Sequence, residues 1–401
     1  MAEKSDKQMT PVIRFKGFAN AWVQGKFKTL VRRLSKTNSD DILPRVEFED
    51  IISGYGQLNK NIFEKDKCKA GVEFDRGDIL FGKLRPYLEN WLLADFKGVA
   101  VGDFWVLRPN EAKSRFIYYL IQSDTFQAVA NLSAGTKMPR SDWNVVSETN
   151  FSAPSVFEQT AIGDFFHTLD GIIASVQRKL IMAKKMKQAF LQRMFPQAGE
   201  TVPKVRFAGF TEPWEARKLG EVIERVQGND GRMYLPTLTI SAASGWLDQR
   251  ERFSSNIAGK EQENYTLLSK GELSYNKGNS KLARYGAVFE LKTYEEALVP
   301  RVYHSFRTTK ELNATFLEYM FATKIPDNEL AKLVTSSARM DGLLNIGFEV
   351  FAGISICIPN KDEQDTICRF LHILDIQITT QQTKLDNLKR LKSAFLQKMF
   401  V

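Results

Sequence analysis

The chain is poor in the residues on which most enzyme chemistry depends. Of its 401 residues, three are histidine and three are cysteine. Cys68, Cys357 and Cys368 are odd in number and show no CxxC spacing, so neither a disulfide framework nor a structural zinc site is expected, and a reducing cytoplasm is the expected compartment. His167, His304 and His372 are spaced for neither a metal site nor a catalytic triad. No GxSxG or HExxH occurs, and no GxGxxG stands behind a strand. The nearest approach to a phosphate-binding loop, Gly77 to Lys83, is followed by Leu84 where a magnesium-holding Ser or Thr is needed. Arg85-Pro86 then stands where a helix should begin. An Asn-Pro-Pro-aromatic or Asp-Pro-Pro-aromatic run is also missing, so no amino-methyltransferase centre is encoded. No apolar run reaches transmembrane length and the opening MAEKSDKQMT is polar, so neither a membrane nor a signal peptide is expected. The chain reads as non-catalytic.

What the sequence does have is bulk and positive charge. Its length suffices for two or three domains, each with its own core. A net charge of +9 and a pI of about 9.2 favour a polyanionic partner. Charge alone does not choose among nucleic acid, a membrane surface and an acidic protein.

The dominant feature is a repeat. Glu158-Gln159, His167-x-Leu169-Asp170, Ala189-Phe190-Leu191-Gln192 and Met194-Phe195 return 205 positions later as Glu363-Gln364, His372-x-Leu374-Asp375, Ala394-Phe395-Leu396-Gln397 and Met399-Phe400. Each copy opens on a capping-box pattern, with Ser155 or Asn360 three residues before a glutamate. One heptad column holds Ile162, Leu169, Val176, Ala183 and Phe190; the other holds Phe166, Ile173, Leu180, Lys187 and Met194. The second copy has Ile367, Leu374, Gln381, Leu388 and Phe395 beside Leu371, Ile378, Leu385, Lys392 and Met399. Spacings of three and four over about five heptads predict coiled-coil helices at 155–196 and 360–401, each a rod of about 60 Å. Leu169, Ile173, Leu180 and Phe190, with Leu374, Ile378, Leu385 and Phe395, are the candidate helix–helix or partner contacts.

The repeat extends upstream. Pro11-Val12-Ile13-Arg14-Phe15-Lys16-Gly17-Phe18, leading to Trp22, returns 192 positions later as Pro203-Lys204-Val205-Arg206-Phe207-Ala208-Gly209-Phe210, leading to Trp214. A Pro- and Gly-containing stretch, 196–203, links the halves. Domains at 1–153 and 203–358 therefore alternate with the two helices. Both domains read as mixed α/β, with strand-like runs at 78–81, 99–101, 104–107, 272–275 and 354–358, and helical patches at 114–121 and 313–321.

Two loop patches recur in both domains. In the first, Lys83, Arg85 and Tyr87 leave a strand, and Thr136, Lys137 and Arg140 form a second patch. In the second, Tyr275, Asn276, Lys277, Asn279, Ser280, Lys281 and Arg284 occupy the matching place, followed by Ser336, Ser337 and Arg339. Lys, Arg, Ser and Thr donate to phosphate oxygens, and Arg, Lys and Asn have the geometry to pair with base edges. Diverged loops on a repeated scaffold suggest two related readers of two different things.

On these residues the chain resembles the specificity (S) subunits of type I restriction–modification systems. The resemblance spans essentially the whole chain. It rests on the P-x-x-R-F-x-G-F…W openings, on Trp214-Glu215-Ala216-Arg217-Lys218-Leu219-Gly220-Glu221, on Tyr275-Asn276-Lys277 and on the duplicated helix motif. The first domain departs from the loop pattern, with Phe81-Gly82-Lys83 in place of Tyr-Asn-Lys. The resemblance implies an α+β fold with two mixed α/β target recognition domains, two long antiparallel coiled-coil helices and a pseudo-two-fold internal repeat. It also implies that each domain reads half of a bipartite DNA site and that this chain has no catalysis and no cofactor. Two methyltransferase (M) subunits, carrying S-adenosylmethionine, and restriction (R) subunits, using ATP and Mg, would be its partners. Half-sites about one helical turn apart, roughly 34–36 Å, would fall on one face of the duplex. A rival reading is a coiled-coil scaffold that joins proteins through exposed Phe and Met at the helix ends, without touching DNA. Exchanging residues 11–153 for the equivalent segment of a relative should alter one half of the recognised site; mapping of modified sites checks this, and a change in both halves would exclude modular reading.

Overall fold

A run such as Ile79-Leu80-Phe81, apolar at every position, can be a strand only if both of its faces are buried. That is its situation in the computed structural model, which describes residues 10–39, 42–64, 69–132, 137–250, 259–278, 280–334 and 344–401. Ile79 and Phe81 face a core containing Trp22, Trp105, Phe116 and Leu107, whereas Leu80 faces another containing Val46, Phe74, Phe104 and Val106. The period of two along a strand divides the run between the two cores.

The chain forms two compact units, Met1–Arg178 with Gln381–Val401, and Lys179–Thr380. In the first, an antiparallel sheet runs in the order Val31–Leu34, Phe104–Pro109, Ile79–Gly82, Trp91–Leu93. A second sheet in that unit contains Thr37–Asn38, Gly71–Phe74, Gly98–Ala100 and Arg45–Val46, its last pair parallel. The second unit repeats the first sheet as Ile223–Val226, His304–Thr308, Leu273–Asn276, Ala287–Glu290, again antiparallel. Beside it lie a hairpin, Leu238–Ser241 with Gly245–Asp248, and the pair Thr266–Ser269 with Glu296–Val299. The helical patches appear as Ser114–Leu120 and Ala314–Ala322.

Each unit is tied to its long helix by the same contacts, and these explain the repeated motifs. The helices run Val156–Arg193 and Lys361–Met399. Ser155 Oγ accepts from the Glu158 N–H at 3.4 Å, and Asn360 Oδ1 from the Glu363 N–H at 3.0 Å. The reciprocal half of the expected capping box is replaced by something stronger. The buried Glu158 carboxylate takes a two-pronged contact from Arg14, at 2.6 and 2.7 Å. Arg206 does the same to Glu363, at 2.7 Å on both prongs. A forked guanidinium–carboxylate pair is directional and charge-assisted, so it fixes the opening segment against the helix start. The neighbouring glutamines secure the domain helices: Gln159 Oε1 accepts from the Lys113 N–H at 2.9 Å, and Gln364 Oε1 from the Asn313 N–H at 2.8 Å. Phe15 packs edge-on against Phe165, and Phe207 against Phe370.

The helices are antiparallel. In the first unit Phe165 meets Phe395, with ring centroids 5.0 Å apart, and Asp170 meets Lys392 at 2.7 Å. In the second, Phe190 meets Phe370 at 4.8 Å and Lys187 meets Asp375. In each case one number rises as the other falls. Leu169, Ile173, Leu180, Leu374 and Leu385 are buried, while Phe190, Ile378 and Phe395 are half-buried.

The helix ends complete the cores of the domains they reach. Phe400 packs on Trp22 and Phe116 at 6.4 and 5.6 Å; Phe195 packs on Trp214 and Phe316 at 5.8 and 5.2 Å. Met194, Phe195, Met399 and Phe400 are all buried. This removes the exposed aromatic ends on which the scaffold reading relied. Because each ring fills a closed apolar site, Phe195→Ala and Phe400→Ala should each lower unfolding free energy by about 3–5 kcal/mol. Urea denaturation of the full chain measures this, and a loss below about 1 kcal/mol would mean that the tails are not core elements.

Candidate nucleic-acid interface

In the first unit, strand pairing turns the two loop patches into one surface. The chain leaves Ile79–Gly82 at Lys83, whose N–H donates to the Asp103 carbonyl at 2.9 Å and whose carbonyl accepts from the Ser141 N–H at 2.8 Å. The Arg85 N–H donates to the Pro139 carbonyl at 2.7 Å, and Leu84 forms a β-bridge with Arg140. Arg85 has left-handed backbone geometry, φ 49°, before the short turn Pro86–Leu88. Arg85, Tyr87, Lys137 and Arg140 are exposed there, and Lys83 is half-buried. Asp103 lies between the cations, 3.5 Å from Lys83 Nζ and 3.1 Å from an Arg140 nitrogen. Burial alone would raise its pKa, but the Arg140 hydrogen bond and the charges of Arg140 and Lys83 hold it below the ordinary carboxylate value. The carboxylate therefore orders two of the five described cationic and aromatic candidates and offsets part of their charge.

The matching strand end in the second unit is built differently. Tyr275 is fully buried, its ring stacked 4.4 Å from that of Phe351 and its hydroxyl donating to the Tyr285 carbonyl at 2.7 Å. It is a core residue at the position Phe81 holds in the first unit, which corrects its placement among the contact candidates. Asn276 is also engaged within the protein. Its Nδ2 donates to the Ile240 carbonyl at 3.3 Å, and its Oδ1 accepts from the Gly278 N–H at 3.0 Å. That amide holds a turn to a hairpin, and its second N–H and second oxygen lone pair lie outside these two bonds. Ser280 Oγ accepts from the Ala283 N–H at 3.1 Å. Lys281 and Arg284 are exposed, with the Arg284 guanidinium 5.5 Å from the Tyr285 ring centre; Lys277 is half-buried. Thr136, Asn279, Ser336, Ser337 and Arg339 lie outside the described residues.

Two further arginines belong with these loops. Arg33, on the edge strand Val31–Leu34, sits 4.9 Å over the Trp143 ring; Arg225, on Ile223–Val226, sits 4.7 Å over Phe348. Both are exposed, and they stand 192 positions apart, the same offset as the two openings. The repeat arithmetic that aligned Arg14 with Arg206 points equally to this pair. Sequence reading passed over it because each arginine lies inside a strand and not in a Gly- or Ser-rich loop.

Beneath Arg225 and Lys277 lies His304, buried in the strand paired with Tyr275. One ring nitrogen is 2.8 Å from the Ile346 carbonyl, which leaves that nitrogen the donor role. Burial pushes its pKa below the ordinary value of 6.5, and the charges of Lys277 and Arg225 push the same way, against the Ile346 hydrogen bond. The folded state thus binds this proton less readily than the unfolded chain. The associated stability is complete above about pH 6.5 and declines as pH falls through the lowered folded value. Thermal unfolding of the full chain between pH 7.5 and 5 should show this decline, and His304→Asn should flatten it; equal slopes in both proteins would assign the pH effect elsewhere.

The geometry defines an internally duplicated α+β protein with a cationic loop cluster at the same sheet edge of each unit. Comparison with known proteins then shows what it is similar to. The type I restriction modification DNA specificity domain matches residues 3–184. A curated relative, the type I restriction enzyme EcoDI specificity subunit of Escherichia coli, is 27% identical over 148 residues, 36% of this chain and 32% of the relative. The match thus spans about a third of that relative's length. Among solved structures, the fold is similar to a type I restriction–modification S subunit from M. genitalium, with TM-score 0.59 and 13% identity over 98% of this chain and 99% of that one. It is also similar to a chain from a structure concerned with complex assembly and conformational transition of the type I R-M system. That match has TM-score 0.51 and 19% identity over 94% of this chain and 96% of the other. At these identities the two structures bear on fold alone. The family model thus covers the first domain and most of the first long helix of this chain.

Proposed function

We propose that this chain is the DNA sequence-specificity subunit of a type I restriction–modification complex and is itself non-catalytic. In this reading the domains at 1–153 and 203–358 each read one half of a bipartite, asymmetric site. The helices at 155–196 and 360–401 set the unread gap and dock two methyltransferase subunits. S-adenosylmethionine belongs to those subunits, ATP and Mg to restriction subunits, and no cofactor belongs to this chain. The working compartment is the cytoplasm; among the described residues, no helix is long and apolar enough to cross a membrane.

The observation that carries the reading is a matched framework bearing unmatched loops. Lys83 and Lys277 leave equivalent strands of equivalent sheets, and Arg33 and Arg225 flank them over equivalent aromatic rings. Around these fixed points the chemistry diverges, with Arg85, Tyr87 and Arg140 about Asp103 in one unit and Lys281 and Arg284 in the other. A shared placement of cations suits phosphate contacts, which position the protein without carrying sequence information. Differing neighbours suit base contacts, and therefore unlike half-sites.

Methylated adenines should be mapped in DNA from cells carrying this chain and its methyltransferase partners. A single bipartite motif with two unlike halves and a fixed gap is expected, and scattered or absent modification would overturn the reading. With the reconstituted complex, Arg33→Ala or Arg225→Ala should weaken duplex binding about equally for all sequences and reduce the salt slope by roughly one. Arg85→Ala or Arg284→Ala should change base preference in a single half-site. Inserting about four residues into both helices, near Val176 and Gln381, should lengthen the tolerated gap.

A further inference from the structure

One heptad column in each long helix is apolar except at a single position, Lys187 in the first helix and Lys392 in the second. A cation in a helix–helix seam costs stability, yet the same substitution occurs in both copies. Each lysine has the same surroundings. Lys392 pairs with Asp170 at 2.7 Å, its ammonium 5.5 Å from the ring centre of Tyr119, whose hydroxyl donates to the same carboxylate at 2.8 Å. Lys187 pairs with Asp375, its ammonium 5.2 Å from the ring centre of Tyr319, whose hydroxyl donates to Asp375 at 2.7 Å. The side chains of Lys392 and Asp170 are 13% and 21% exposed, those of Lys187 and Asp375 23% and 36%. In both cases the lysine is on one long helix, the aspartate on the other, and the tyrosine on a domain helix.

We infer that these two Lys–Asp–Tyr nodes are positioning elements that set the register of the antiparallel helices, and so select one alignment from several that the apolar positions would accept. Phe166, Ile173, Leu180 and Met194 fall in the same heptad column, as do Leu371, Ile378, Leu385 and Met399. Along the seam, a slip of one heptad therefore largely replaces apolar side chains with apolar side chains, and its apolar cost falls on the tails, where Phe195 and Phe400 leave their cores. The same slip is ruinous at the nodes. Asp170 would face Leu385 or Met399, and Asp375 would face Leu180 or Met194. Lys392 would meet Gln177 or Gly163, and Lys187 would meet Gln382 or Cys368. Either direction leaves all four charges without their partners in a partly dry seam. A single polar residue in an apolar heptad seam specifies register in this way, at some cost in stability. The consequence for DNA, that the nodes determine the unread gap, rests on the reading proposed above.

The test is a cross-linking assay on the full chain, with the three native cysteines replaced by serine. Phe165→Cys with Phe395→Cys reports the observed register, because those rings touch. Phe165→Cys with Leu388→Cys reports a one-heptad slip. The parent should give the first cross-link and not the second. Replacing Lys187, Lys392, Asp170 and Asp375 by leucine should keep the helices paired and make the slipped cross-link appear as a minor product beside the native one, because the buried tails still favour the native register. Exchanging the charges, Lys187→Asp with Asp375→Lys and Lys392→Asp with Asp170→Lys, should restore the single register. If the leucine variant remains folded by circular dichroism and yields only the native cross-link, the apolar packing sets the register and the inference fails. Should the leucine variant unfold, the exchanged variant decides: native cross-link alone supports the nodes, whereas a slipped or mixed pattern overturns them. Mapping methylated sites with the leucine variant separates the two claims. A shifted register with an unchanged gap would leave the nodes standing and remove the role of the helices as ruler.

Discussion

Phe195 and Phe400 close cores to which their own repeats contribute little else. The first packs on Trp214 and Phe316, the second on Trp22 and Phe116. Each compact unit thus consists of one repeat plus the tail of the other repeat's helix. Much else follows from this exchange. The helix that carries Phe195 to its core, Val156–Arg193, is continuous. The forked pairs Arg14–Glu158 and Arg206–Glu363 can then clamp each opening segment to a fixed helix start. With both helix ends anchored, the loops that leave Gly82 and Asn276 start from a defined sheet edge.

The large architecture was legible because it is duplicated. Offsets of 192 and 205 positions located the openings and the helices, and heptad spacing gave the buried columns to which Leu169, Leu180, Leu374 and Leu385 belong. What the repeat could not reveal was which group answers which. Glu158 fits a capping box by spacing, and only the fold brings Arg14, 144 residues away in sequence, onto its carboxylate. Lys187 and Lys392 look like interruptions of a column until Asp375 and Asp170 are seen beside them.

The loops were least legible, for a definite physical reason. Residue type says what a side chain can bond, and burial decides whether anything is left to bond with. Tyr275 has suitable chemistry for a nucleic-acid contact, but it is buried against a stacked ring and its hydroxyl is taken by a carbonyl. Arg33 and Arg225 were overlooked inside short strands, although both guanidinium groups reach the surface over an aromatic ring. Asp103, which no loop motif suggests, organises Lys83 and Arg140.

The exchanged tails also bear on how the protein is made. A ribosome finishes residues up to 178 well before 381–401 exist, yet both segments belong to the same unit. The pocket around Trp22 and Phe116 must therefore wait, uncapped, through the synthesis of about two hundred further residues. The second unit has no such delay, because 179–196 precede the rest of it on the ribosome. Closing so long a loop is slow more than it is costly, since closure entropy grows only logarithmically with length while folding rate falls with sequence separation. The domain made first is thus the domain finished last, and until then its aromatic pocket is open to whatever apolar segment arrives.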